Sequence, residues 1–194
     1  MGSPERQQIA QWARSIKASD ESAFERLFHH LHPRMVKFSC RYVHTKTSAQ
    51  DVVQESFIKL WQKRTSIDPE QSLLSYLYQI VRNRSLNYLR DHQTGDLTLS
   101  DLPENRLRSD ANILSAVLEE EQPGKEMLLL INQLPGRQRE ALKLSRFEGL
   151  DHDEVACVMD ISPRTVNNHI VSALKTLREQ WNEHKENSNR ITDL

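Results

Sequence analysis

Between Ser162 and Arg178 the chain reads SPRTVNNHIVSALKTLR, and its polar residues are of the kinds that reach nucleic acid. Placed on a helix at about 100° per residue, Arg164, Thr165, Asn168, Val171, Ser172 and Lys175 point away from an apolar stripe. That stripe is Val166, Ile170, Ala173, Leu174 and Leu177, with Asn167 and His169 on its flanks. Amides can bond an adenine edge, hydroxyls either base, a small apolar group a thymine methyl, and cations the phosphates. A solvated face in a three-helix bundle is the alternative reading. The tight turn before this helix and its barely acidic outer face favour DNA.

The elements that must position this face lie just upstream. Pro135 sits where a helix can begin, and Ala141, Leu142, Leu144 and Phe147 carry helical apolar spacing up to Gly149, a glycine stop. A short helix over His152–Met159 turns Val155, Ala156 and Met159 inward. Asp160-Ile161-Ser162 then makes the turn, with Ser162 as N-cap and Pro163 at the first helical position. This punctuation is that of a helix-turn-helix.

Two further stretches carry candidate chemistry. SAQDVVQESFIKLWQK reads as a helix beginning at Thr47 or Ser48 with a buried stripe of Ala49, Val53, Phe57, Leu60 and Trp61. Asp51, Gln54, Glu55, Ile58 and Gln62 project outward. An exposed isoleucine ringed by acids and amides fits either a protein-docking face or an ordinary solvated one. After a loop over Thr65–Pro69, a long helix from about Glu70 to Asp91 has Leu73, Leu77, Ile80 and Val81 as its core stripe. Around it Tyr76, Tyr78, Arg82, Asn83, Arg84, Asn87, Tyr88 and Arg90 interleave aromatics, amides and arginines. Unpaired bases need stacking platforms beside cations, although tyrosines at this spacing equally suit a core.

Upstream, helical spacing predicts Gln7–Lys17, then a helix capped by Ser19-Asp20 with Phe24, Leu27 and Phe28 inside. A third helix opened by Pro33 would carry Val36, Cys40 and Val43. His29, His30 and His32 diverge on a helix and lack a completing ligand, so neither metal nor other cofactor is expected. Cys40 and Cys157 read as small buried thiols of a cytoplasmic protein.

The net charge of −1 conceals an uneven distribution. Residues 1–95 hold 14 Lys and Arg against 9 Asp and Glu, whereas residues 96–126 hold 3 against 8. The acidic stretch contains Pro103 and Pro123 and reads as a flexible linker. An all-α chain of two helical domains follows: residues 5–94, a linker at 95–124, a second domain at 125–183 and a tail at 184–194. No apolar run is long enough to cross a bilayer. No glycine-rich phosphate loop, metal cluster or nucleophile elbow points to an enzyme.

DVVQESFIKLW, SYLYQIVRNRSLNYLR and LPGRQREALKLSRFEGLDHDEVACVMDISPRTVNNHIVSALKTLR, in that order, resemble the extracytoplasmic-function sigma factors of bacterial RNA polymerase. The three blocks are similar to region 2.2, regions 2.3 and 2.4, and region 4. The resemblance covers about Ser19–Asp91 and Glu126–Glu179, with no region 3 domain between. It implies a region 2 helical bundle and a region 4 helix-turn-helix. Asp51, Gln54, Glu55 and Ile58 would bind the polymerase clamp helices, and region 4 the flap. The loop Ser66–Gln71, including Ile67, would melt the −10 element and capture a flipped base with Tyr76, Arg82, Asn83, Asn87 and Arg90. Arg164, Thr165, Asn167, Asn168, His169, Ser172 and Lys175 would read the −35 element. Asn167, Asn168 and His169 depart from relatives that carry Arg or Lys there. Partners implied are core polymerase, promoter DNA and an anti-sigma factor. A response-regulator-type transcription factor is the alternative, since SPRTVNNHI also resembles that output domain, but it requires an α/β receiver or a ligand-sensing domain upstream.

Overall fold

Short polar side chains start the helices. Asp20 accepts from the Ala23 amide, Thr45 from Ser48, Ser72 from Ser75, Asp151 from Glu154 and Ser162 from Thr165, at 2.9–3.2 Å. Each such N-cap contributes about 1 kcal/mol by satisfying an otherwise orphaned amide. The computed structural model describes residues 4–43, 45–68, 71–92 and 124–192. The linker reading falls almost wholly outside these residues. The chain divides into two units, Met1–Asp96 and Leu97–Leu194, and the described residues contain no strand.

Unit 1 comprises α1 (Pro4–Lys17), α2 (Glu21–Ser39), α3 (Lys46–Gln62), a single 3-10 turn (Arg64–Ser66) and α4 (Leu73–Asp91). Ser19, at φ 66°, ends α1 in the left-handed region, and Asp20 restarts the chain as α2. Helices α2, α3 and α4 pack around Leu27, Leu31, Met35, Phe38, Phe57, Leu60, Leu77 and Tyr78, all essentially fully buried. Tyr78 is therefore a core residue, edge-on to Phe38 at 4.8 Å. The buried hydroxyls of Ser39 and Ser85 bond each other at 2.9 Å, which lets α2 and α4 approach without an unsatisfied polar group.

Pro33 does not open a third helix; it lies inside α2. An interior proline costs about 3 kcal/mol. Buried Leu27 and Leu31 before it and Met35, Val36 and Phe38 after it hold both halves against the same core, and each such side chain is worth about 1.5–3 kcal/mol. Packing therefore overrides the break.

Unit 2 comprises α5 (Gly124–Gln133), α6 (Gly136–Arg146), α7 (His152–Met159) and α8 (Pro163–Thr192). Helix α5 lies just before the start expected at Pro135, and α8 continues to Thr192, into the expected tail at 184–194. Buried Leu134, Leu144, Val155, Met159, Val166 and Ala173 form the core. Leu174 does not join them: it is 39% exposed, at the edge of the stripe that Val166, Ile170, Ala173 and Leu177 share. Phe147, also expected inside, is 54% exposed. Helix α6 stops at Arg146, the chain turns through left-handed Gly149, and Leu150 occupies the buried position instead. The cysteines are not buried either: Cys40 is half-buried and Cys157 exposed.

Among the described residues no helix is long and apolar enough to cross a membrane.

Candidate nucleic-acid interface

In unit 2 the turn between α7 and α8 is set by Asp160, a non-glycine residue at φ 55°, ψ 53°. Aspartate tolerates this left-handed geometry better than most residues. Upstream, Asp151 and Glu154 close a capping box on α7, each side chain bonding the other's amide at 2.9 Å. Downstream, Ser162 caps α8 and its hydroxyl meets that of Thr165 at 2.8 Å. Helix α8 is thus fixed at both ends of the turn, with Val166 and Ile170 anchoring it to the core.

That anchoring decides which side chains face out. Arg164, Asn167, Asn168, Val171, Ser172 and Lys175 are exposed, and Val171 is 57% exposed. Thr165 and His169 are half-buried, and Thr165 shares its hydroxyl with the cap. Partial burial, reinforced by the nearby Arg137, lowers the His169 pKa below the usual histidine value, while Glu140 opposes the shift. His169 therefore favours its neutral ring, able to donate and accept one hydrogen bond each. Arg137, exposed on α6, brings a cation to this face that the sequence reading did not assign.

In unit 1 the outer face of α3 carries Asp51, Gln54, Glu55 and Ile58, all exposed, with Ile58 at 51%. On α4, Asn83, Asn87 and Arg90 are exposed and Tyr76 is half-buried. Two of the expected DNA contacts lie elsewhere. Ile67 and Arg82 are buried beneath the exposed face. Ile67 anchors the segment that follows α3, because the 3-10 turn packs against α1 and leaves this side chain in the core.

Three relationships here join residues far apart in the sequence. Glu55 pairs with Arg84, 29 positions later, across the seam between α3 and α4. Tyr88 bonds Ser48 through its hydroxyl at 2.8 Å and stacks on His92 at 3.9 Å. Arg64 lies against Trp61 and Ser19. Two parts of this are readable locally: Trp61 and Arg64 are three positions apart, and Tyr88 and His92 four.

The three upstream histidines go separate ways. His29 faces Glu25 at 3.7 Å, His30 bonds Glu5 at 3.0 Å, and His32 leans on Phe28 at 4.8 Å. Desolvation, with His29 nearby, lowers the His32 pKa.

A family model described as sigma-70 region 2 matches residues 27–94, and one described as sigma-70, region 4 matches residues 125–177. The chain belongs to the extracytoplasmic-function sigma factors of the sigma-70 family. The RNA polymerase sigma-H factor of Pseudomonas aeruginosa is 28% identical over 88% of this chain and 92% of its own length. The extracytoplasmic-function RNA polymerase sigma factor RpoE of Cereibacter sphaeroides is 28% identical over 82% and 87%. The fold is shared with two solved structures. CnrH, bound to the cytosolic domain of CnrY, has a TM-score of 0.64 at 18% identity and covers 91% of this chain and 98% of that one. RpoE of Bartonella quintana, solved with the anti-sigma factor NepR, has a TM-score of 0.57 at 19% identity, covering 80% and 94%. A sigma region 2 bundle thus stands where the response-regulator alternative requires a receiver or a ligand-sensing domain.

Proposed function

We propose that this sigma factor binds core RNA polymerase through α3 and directs initiation at promoters whose −35 element is read by α8. Opening of the −10 element falls to α4 and the segment before it. The observation that carries this reading is the placement of amides. Asn167 and Asn168 on α8 and Asn83 and Asn87 on α4 all face solvent, on rigid helices whose opposite faces are buried. Exposed amides on a fixed frame are suited to base edges, paired in the major groove or extruded from a melted strand. Asp51, Gln54, Glu55 and Ile58 form a separate mixed face suited to a protein partner. The region 4 unit would meet the polymerase flap. An anti-sigma factor is a further partner, since the Bartonella quintana RpoE was solved with the anti-sigma factor NepR. The chain itself performs no chemistry in this reading; it works in the cytoplasm, and the polymerase is the enzyme.

Transcription in vitro tests it. Core polymerase plus this protein should start at a defined promoter that core alone ignores. Asn83→Ala should leave the closed complex nearly intact but slow strand opening, read by permanganate footprinting of unpaired thymines. A promoter pre-melted at −10 should recover part of the loss, because the unpairing cost of a few kcal/mol is already met. Opening at the wild-type rate would make Asn83 a structural residue and remove α4 from the melting step.

A further inference from the structure

Each of the three arginines of α4 is withheld from solvent or already paired. Arg82 is buried, Arg90 bonds the neighbouring Asp91 at 3.1 Å, and Arg84 is paired with Glu55 of α3. On this helix Arg90 is exposed in a surface pair with its sequence neighbour, while Arg82 and Arg84 are held back. The Glu55–Arg84 pair differs from the Arg90–Asp91 pair in one respect. Its acid sits on another surface, the α3 face with Asp51 and Ile58, while its arginine stands on α4 about 60° around the helix from Asn87. The side chains are 62% and 33% exposed, so water reaches the pair and it can exchange partners at little cost.

We propose that Glu55 holds Arg84 back from the DNA backbone in the free chain. A basic group of the polymerase, on binding Glu55, releases Arg84 to a phosphate of the unpaired −10 strand. The carboxylate then changes cations and the guanidinium changes anions, so docking on α3 raises the charge of the α4 face by one without a backbone movement. The inference rests on the reading that α3 docks and α4 faces the opened strand.

A double-mutant cycle on the free chain tests it, with a labelled short oligothymidylate as probe and binding followed by anisotropy across a salt series. Glu55→Gln should tighten binding about two- to fivefold and steepen its salt dependence by about one phosphate contact. In an Arg84→Gln background the same substitution should give less than half of that gain. An equal gain in both backgrounds would mean that Glu55 acts only as a repulsive charge, and no gain at all would mean that it restrains nothing; either result overturns the proposal. In the holoenzyme, Arg84→Gln should lower the salt slope of promoter binding by about one contact and Arg84→Lys should retain it. An unchanged slope with Arg84→Gln would also overturn it. Circular dichroism of each variant should match the wild type. If the wild-type holoenzyme opens no promoter, the functional reading beneath fails; if it opens one and the cycle is additive, only this inference fails.

Discussion

The guanidinium of Arg64 lies over the indole of Trp61, 4.4 Å from the ring centre, while its Nε donates to the Ser19 hydroxyl at 2.9 Å. Nη1 donates to the Trp61 carbonyl at 3.0 Å. One side chain thus ties the end of α3 and the turn between α1 and α2 to the segment that carries Ile67. Arg64→Ala should destabilise unit 1 by about 1–2 kcal/mol, from a cation–π contact and a charged hydrogen bond that are both partly exposed. Arg64→Lys should recover less than half, because an ammonium cannot stack and bond in the same plane. Urea unfolding of the three proteins measures this, and an Ala variant as stable as wild type would show that the contacts are ornamental.

Polymerase docking is addressed at Ile58, whose exposure makes substitution there nearly neutral for folding. Ile58→Asp should abolish co-purification with core polymerase while leaving helical content unchanged. Co-purification at wild-type yield would remove α3 from the interface.

Base reading and phosphate binding should separate on α8. Arg164→Ala should weaken binding to all duplexes and flatten its salt dependence by about one contact. Asn168→Ala should relax preference at one −35 base pair, costing about 1–3 kcal/mol there. Equal losses on specific and random duplexes would show that Asn168 does not read a base.

His169 gives the helix-turn-helix a pH dependence whose sign follows from its environment. Its folded pKa lies below the unfolded value of about 6.5, so the fold favours the neutral ring. That contribution to stability is complete above the unfolded pKa and is lost as pH falls through the folded one. Protonation also places a positive charge on α8, the helix proposed to read DNA. Mild acid should therefore lower the melting temperature of unit 2 while strengthening its binding to random duplex. His169→Gln should flatten most of both trends, and a Gln variant with the wild-type pH profile would assign them to another group.

The helix-turn-helix was legible almost to the residue because its signals are local. Ser162-Pro163 starts a helix, Gly149 ends one, and the apolar periods between them are short and regular. Legibility failed where tertiary contacts decide. Pro33 looked like a start because the sequence does not reveal that both flanks of α2 bury in one core. Phe147 and Leu150 compete for a single inward position, and the path through Gly149 settles it for Leu150. Arg82 and Asn83 look equally available in a string, yet one residue of rotation buries the first and exposes the second. The same holds for Glu55 and Arg84, whose pairing depends on the packing of α3 against α4.

The two cysteines of the chain fall one in each unit, and their difference in accessibility has a practical use. Cys157 stands exposed on α7, whereas Cys40 is half-buried where α2 ends. A thiol-reactive dye should modify Cys157 first, leaving Cys40 for a second dye under longer exposure. The native sequence thus provides its own donor and acceptor positions for a fluorescence ruler, and the distance between the units can be followed as polymerase, promoter or a regulator is added.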